Sequence, residues 1–457
     1  MSLFAQRFTS GICCAGLIIS LVFGCQAARQ ARRECPSPAE LGMNTRDMVD
    51  KAQQDEYDAL MDIQDFAVRG DKMRKVAFDI AMKERNPNAP PFREKNVLSL
   101  SGGGSFGAFS AGIVCGWTAK GDRPNFDVVT GISTGALIAP FAFLGPAYDE
   151  QLKMFYTTLT DKDLYKMKPL RGLFREALAD NTPLADRMDE VLTQQVITEI
   201  TLEHQKGRRL YIGTTAAESK QFVVWDIGAI ASRGRCEDRE LIKQILLGSS
   251  AIPGVFPPQH IAVDVDGKCV TERHIDGGVS QALFIFPPYV PVEHRSKNQN
   301  ADLAGTNLYL VVAGKLYADL EKIKPMALNL VGKEISAMIY AQTRGDLQRM
   351  YTMSMLTGMN YYMTSIPPEY PAPTSGMAFN VPALTGMFNE GYRIITEGNA
   401  WRRTPPGVGP GENLNLRAGT SLTYKIRGPI SQSEKGPRPF IPYPNSNEGI
   451  PAVPLIK

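Results

Sequence analysis

Apolar positions along the chain fall into three regimes. From Gly11 to Gly24 they run almost unbroken behind Arg7, interrupted by Ser20 and two thiols. From Asn44 they recur at helical spacing through Met48, Ala52, Leu60, Ile63 and Phe66, and then through Met73, Val76, Ala77 and Ile80. Asn44 can cap this run and Pro90-Pro91 ends it. The pattern predicts a pair of amphipathic helices. Their polar face mixes both charges, which reads as an appendage packed on a core rather than as a helix lying in a membrane.

From Asn96 the rhythm changes to short apolar runs that end in glycines and lead into helical patterns. Val97 to Ser101 and Phe126 to Thr130 read as strands, with a helical run through Ala111, Val114 and Trp117 between them. Further buried-strand candidates are Leu210 to Gly213, Phe222 to Trp225 and Leu308 to Val312, with helices at Gln151 to Leu159 and Glu240 to Leu247. This alternation predicts an α/β fold with a mainly parallel central sheet covered by helices. Past Asp319 a long helix is expected through Ile323, Leu330, Ile335 and Ile339 toward Met359. Its methionines suit either irregular core gaps or the lining of an acyl channel. After Trp401 the chain is rich in Pro and Gly and reads as an extended tail, with one candidate strand at Ser421 to Ile426.

The first regime is roughly 14 residues long, too short to cross a bilayer comfortably, and reads as a signal peptide. It ends in Leu21-Val22-Phe23-Gly24-Cys25, which resembles the bacterial lipobox, apart from Phe23 where a small residue is usual. That resemblance implies acylation of Cys25, which would hold the protein at a membrane. Gln26 after it implies the outer membrane of a bacterial cell envelope. Residues 1–24 are thus assigned to the signal peptide and 25–95 to the lipidated N-terminus and helical spacer. Outside the cytosol Cys35, Cys115, Cys236 and Cys269 can pair in three ways, Cys236 with Cys269 being preferred, and buried free thiols are the alternative.

Composition narrows the function. With 457 residues, 43% apolar and 21% charged, the chain can bury a large core and is not a disordered protein. A net charge of +3 over balanced acids and bases lacks the footprint that nucleic-acid binding requires.

Three motifs carry the chemistry. Gly131-Ile132-Ser133-Thr134-Gly135 directly follows a strand, and glycines on both sides allow a nucleophilic serine to sit on a tight strand-to-helix turn. Upstream, Ser101-Gly102-Gly103-Gly104-Ser105-Phe106-Gly107 occupies another strand-to-helix junction, where backbone N–H groups can converge on a negative oxygen. A phosphate-binding loop would end in Lys-Ser/Thr, which is absent. The third piece is His274-Ile275-Asp276-Gly277-Gly278-Val279, a carboxylate followed by a tight turn.

In this order the three motifs resemble the patatin-like phospholipase family, over roughly Asn96 to Trp401. Gly213-Thr214-Thr215, Val224-Trp225-Asp226, Ser249-Ser250-Ala251-Ile252-Pro253, Phe256-Pro257-Pro258 and Asn389-Glu390-Gly391-Tyr392 also look like family sequence. The resemblance implies a patatin-like domain at residues 96–401 with a tail at 402–457. It implies hydrolysis of phospholipids or other acyl esters by a Ser-Asp dyad, with no metal or cofactor. Carried over by position, Ser133 is the nucleophile and Asp276 the base. Gly102, Gly103 and Gly104 form the oxyanion loop, supported by Gly131, Gly135, Gly277 and Gly278. Three positions depart from the family pattern: Phe106 stands where Arg or Lys is common, and Gln281 and Ala282 replace the usual asparagines. The competing readings are a Ser-His-Asp esterase using His204, His260, His274 or His294, and a non-catalytic lipoprotein that binds lipid or a protein partner.

Overall fold

The computed structural model describes residues 68–167, 177–265, 267–317, 327–373 and 375–408. They fall within a compact unit that takes in Ile63–Asn413 and Arg438–Lys457. A second unit, Met1–Asp62 with Leu414–Pro437, lies outside the described residues. So do the apolar leader, Cys25, Cys35, the helix expected behind Asn44 as far as residue 67, and the strand expected at Ser421 to Ile426.

In chain order the strands are β1 (Asn96–Leu100), β2 (Val128–Gly131), the two-residue β3 (Lys166–Met167) and β4 (Ala179–Asp180), β5 (Arg209–Ala216), β6 (Gln221–Asp226), β7 (Gln259–Val265), β8 (Lys268–Asp276), β9 (Asn307–Val312) and β10 (Asn360–Ser365). The helices are α1 (residues 68–84), α2 (Gly107–Lys120), α3 (Thr134–Leu144), α4 (Asp149–Thr158), α5 (Asp161–Leu164), α6 (Thr182–Val191), α7 (Gln194–Gln205), α8 (Ile227–Ala231), α9 (Asp238–Ser249), α10 (Gln299–Leu303), α11 (Ala327–Thr357) and α12 (Val381–Thr396).

The central sheet runs β10-β9-β1-β2-β5-β8-β7, with β6 on the other edge of β5. All pairings from β10 to β5 are parallel; β6, β8 and β7 join antiparallel. Parallel strands need both faces covered, which is why β1, β2 and β9 read as nearly continuous apolar runs. Leu98, Leu100 and Val129 belong to the core beneath α2, α3, α4 and α12. Val97, Val128, Leu308 and Leu310 belong to a second core with α11 and β10. On that second face Leu283 and Phe284 cross under the strands, and the Phe284 carbonyl accepts from Ser99 Oγ and Thr130 Oγ1 at 2.7 Å each. The crossing ties the chain just after Asp276 to β1 and β2.

Helix α2 is buried from Gly107 to Trp117. It meets α12 backbone to backbone: a methyl on Gly112 would lie 2.0 Å from the Phe388 carbonyl oxygen, and one on Gly391 would lie 2.3 Å from that of Phe109. This close approach accounts for Gly391 in the Asn389-Glu390-Gly391-Tyr392 segment. Trp117, Tyr309 and Trp401 pack with ring centroids 4.8–5.1 Å apart, and Arg402 exchanges backbone bonds with Met363. Packing continues through the buried Pro405 and Pro406.

Three expectations are revised, and one choice between two readings is made. In α1, Met73, Val76 and Ile80 are exposed; the packed face is Gly70, Arg74, Phe78 and Ala81. A residue without a side chain and a guanidinium bonded to Asn360 (2.6 Å) escape an apolar-periodicity reading. Strand β6 is half-buried and antiparallel rather than a buried parallel strand. Of the two readings of the methionines, core filling describes Met350, Met355, Met359 and Met363, which are buried in the second core. Cys236 and Cys269 are both free and exposed, Cys236 in the turn before α9 and Cys269 in the β7–β8 hairpin, while Cys115 is free and buried.

Candidate active site

The parallel strands present their carboxyl ends along one edge, where ligands of open α/β sheets bind. At the end of β2 the chain turns straight into α3. Ser133 sits on that turn with φ 53 and ψ −125, a conformation that non-glycine residues avoid. Such strain projects a side chain outward from a strand-to-helix elbow. The turn is tight enough that a methyl on Gly131 would lie 2.4 Å from the Gly135 carbonyl oxygen, and one on Gly135 would lie 2.3 Å from that of Leu100. Behind it the buried Tyr156 hydroxyl contacts Thr134 Oγ1 at 2.6 Å and donates to the Thr134 carbonyl at 3.0 Å.

Asp276 ends β8 in register with Thr214 of β5 and caps the short turn Gly277–Val279, its Oδ1 accepting from Gly278 N–H at 2.7 Å. Ser133 and Asp276 are each 6% exposed, and the Ser133 hydroxyl lies near enough to the Asp276 carboxyl to favour its ionised form. Burial pushes that carboxyl up from its ordinary 3.8 to about 6, against the lowering effect of the nearby Ser133 hydroxyl and of the Gly278 N–H. A carboxyl at about 6 is mostly ionised at neutral pH yet close enough to it to exchange a proton readily.

The glycine loop lies alongside. Among the described residues the N–H groups of Gly102, Gly103 and Gly104 have no hydrogen-bond partner. Gly104 has φ +59, and a side chain on Gly103 would run into the Ala313 carbonyl oxygen at 2.0 Å, so the loop depends on glycine at both places. A methyl on Gly102 would touch Ser133 Cβ at 3.0 Å, which puts this loop beside the serine. Ser105 N–H donates to the Gly376 carbonyl at 2.7 Å.

A pocket with mostly apolar walls opens beside Ser133 and Gly104. Its walls are Leu137, Phe155, Leu159, Leu164, Leu184, Ile252, Phe256, Met377 and Phe379. Sequence reasoning did not place these residues, nor Ser249, Tyr156 or Gly376. Only the Ser249-Ser250-Ala251-Ile252-Pro253 and Phe256-Pro257-Pro258 segments carried a signal.

The histidines sit elsewhere. His274 is fully buried with Nδ1 3.0 Å from Thr214 Oγ1, and Nε2 lies 3.2 Å from the Glu272 carboxylate. Burial lowers the pKa of His274 and Glu272 opposes that. His204 Nδ1 is 3.7 Å from Asp226. His260 is exposed at the start of β7. His294 lies on the turn Val292–His294, where Glu293 and Arg295 carbonyls accept from Asn86, ahead of β1 at the opposite edge of the sheet. Among the described residues no cluster of His, Cys, Asp or Glu could hold a metal ion, and no helix is long and apolar enough to cross a membrane.

Fold and site together define a class: α/β proteins with a serine on a strained strand-to-helix turn, set beside a buried carboxyl and flanked by a glycine loop. Residues 98–288 match the model of the patatin-like phospholipase family, so this stretch of the chain carries a patatin-like domain. The crystal structure of VipD from Legionella pneumophila is similar at 11% identity and a TM-score of 0.29, covering 68% of this chain and 68% of that one. No curated protein matches the chain.

Proposed function

We propose that the protein is a lipid acyl hydrolase of the phospholipase A or lysophospholipase type, working through a Ser133–Asp276 dyad. The observation that carries this reading is a serine on a strained turn beside a buried carboxyl at about 6 and an apolar pocket. A free serine hydroxyl is a poor nucleophile at neutral pH, and Asp276 as its acceptor makes attack on an ester carbonyl feasible. The proton passes to Asp276 and the carbonyl oxygen becomes an oxyanion held by the N–H groups of Gly102, Gly103 and Gly104. Collapse expels the alcohol, which takes the proton from Asp276 and leaves an acyl-Ser133 ester with its chain in the pocket. Water deprotonated by Asp276 then attacks that ester, and the departing Ser133 oxygen takes the proton back from Asp276 as the fatty acid is released.

The short apolar leader and the lipobox-like Gly24-Cys25 support a second part of the proposal. Cys25 is acylated and tethers the enzyme to a bacterial envelope membrane, by the sorting rule the outer membrane, beside its substrate. Replacing Cys25 by Ala is expected to abolish incorporation of radiolabelled palmitate, and a mutant that still labels overturns this part.

For catalysis, phospholipid vesicles are incubated with wild type, Ser133→Ala, Asp276→Asn and the four single His→Ala variants, and free fatty acid is measured. The dyad predicts loss with the first two substitutions and substantial turnover with each histidine variant. A well-folded histidine variant as inactive as Ser133→Ala would put a triad in place of the dyad.

A further inference from the structure

The Ser133 turn and the Asp276 turn arise on different strands, so something must set the distance between them. Ser249, the last residue of α9, lies between. It is fully buried, its Oγ accepts the backbone N–H of Ser133 at 3.0 Å, and its hydroxyl donates to the Gly213 carbonyl at 2.7 Å. Gly213 in turn abuts the Asp276 turn: a methyl on Gly277 would lie 2.6 Å from the Gly213 carbonyl oxygen. Two residues beyond Ser249, the Ala251 carbonyl accepts the Asp276 N–H at 2.9 Å. The end of one helix thus grips the nucleophile's backbone with a side chain and the base's backbone with a carbonyl.

We propose that Ser249 is a positioning residue that sets the separation of Ser133 and Asp276 and holds Ser133 in its strained conformation. The proposal rests on the dyad reading above. The Ser249 hydroxyl bonds both the Ser133 N–H and the Gly213 carbonyl, so each loses this buried partner when it is removed. Because the Ser133 N–H is committed to Ser249, it is not available as an oxyanion donor. Neither role is visible from Ser249's place in the sequence, since it touches no reacting atom.

Purified full-length wild type, Ser249→Ala and Ser249→Cys are compared on a soluble p-nitrophenyl butyrate substrate across pH. A small misplacement of reacting groups lowers rate far more than binding, so Ser249→Ala is expected to lower kcat about 10- to 100-fold while KM changes less than about threefold. Loosening the site admits water around Asp276, so the acid limb of kcat/KM is expected to move to lower pH, a change that mere loss of stability does not produce. Ser249→Cys keeps a weak donor and acceptor and is expected to fall between the two. If Ser249→Ala does not fold, the Cys variant decides: an intermediate kcat with a shifted limb upholds the role. Wild-type kcat and an unshifted limb in either folded variant overturn it. A fluorophosphonate probe separates this from failure of the dyad itself, because a wild-type Ser133 that takes no label removes the dyad whatever Ser249 does.

Discussion

Replacing Asp276 by Asn should disable the enzyme and stabilise it at the same time. In the folded protein burial holds this carboxyl at about 6 instead of 3.8. Its folded pKa is raised, so the native state binds the proton more tightly than the unfolded chain does. Its contribution is therefore near zero below the unfolded pKa, where both states are protonated, and becomes a penalty as pH rises from 3.8 through about 6. Carried through the two binding polynomials, the penalty is about 3 kcal/mol near pH 7.5 and about 0.6 kcal/mol near pH 4. Asparagine carries no charge at either pH, and its carbonyl can still accept from Gly278 N–H at 2.7 Å. Its amide must be accommodated against Ser133, so a net gain of about 1–3 kcal/mol is expected near pH 7.5, shrinking below about 1 kcal/mol near pH 4. Urea titration followed by tryptophan fluorescence reads this, with Trp225 packed against His274 at 5.1 Å as a nearby probe. Activity should fall by about 100-fold or more. Equal or lower stability of Asp276→Asn near pH 7.5, or an advantage of the same size at both pH values, would refute the buried-charge argument.

Three further outcomes follow from the same geometry. Because Asp276 acts ionised, kcat/KM should rise with pH along a limb centred near 6, gaining about tenfold between pH 5 and pH 7; a limb near 4 would contradict the raised carboxyl. Iodoacetamide mapping of the native protein should modify Cys236 and Cys269 but reach Cys115 only after unfolding, since Cys115 is buried and its thiol is pushed up to about 12; protection of both exposed thiols would contradict this arrangement. A chain ending at Val408 should keep its ester turnover within about twofold, whereas one ending before Trp401 should lose folded protein, because Trp401 packs on Trp117 and Tyr309. Folded but inactive protein ending at Val408 would contradict the first part.

What was legible in the sequence follows from what each signal depends on. Strands β1, β2 and β9 stood out because helices bury both their faces and leave uninterrupted apolar runs. The β7–β8 hairpin did not: much of it is exposed, and Lys268, Thr271, Glu272 and Arg273 break any apolar pattern. The packed face of α1 was misread for the opposite reason, since Gly70 and Arg74 make its contacts while Met73, Val76 and Ile80 face solvent. Glycine motifs were readable because Ser133, Gly102–Gly104 and Asp276 each sit where the backbone itself must turn tightly or pass close to another chain segment. Ser249 and the pocket walls Met377 and Phe379 were not, because their positions at the site depend on contacts between segments far apart in the chain.

The covalent intermediate is the most direct test of the account. Wild-type enzyme turning over phospholipid vesicles is quenched in acid within the steady state, digested, and the peptide carrying Ser133 is weighed by mass spectrometry. The account predicts a fraction of that peptide heavier by one fatty acyl group less one water, lost in Ser133→Ala and strongly reduced in Asp276→Asn. Fatty acid release with no acylated Ser133 peptide, or with the acyl group on another residue, would contradict it.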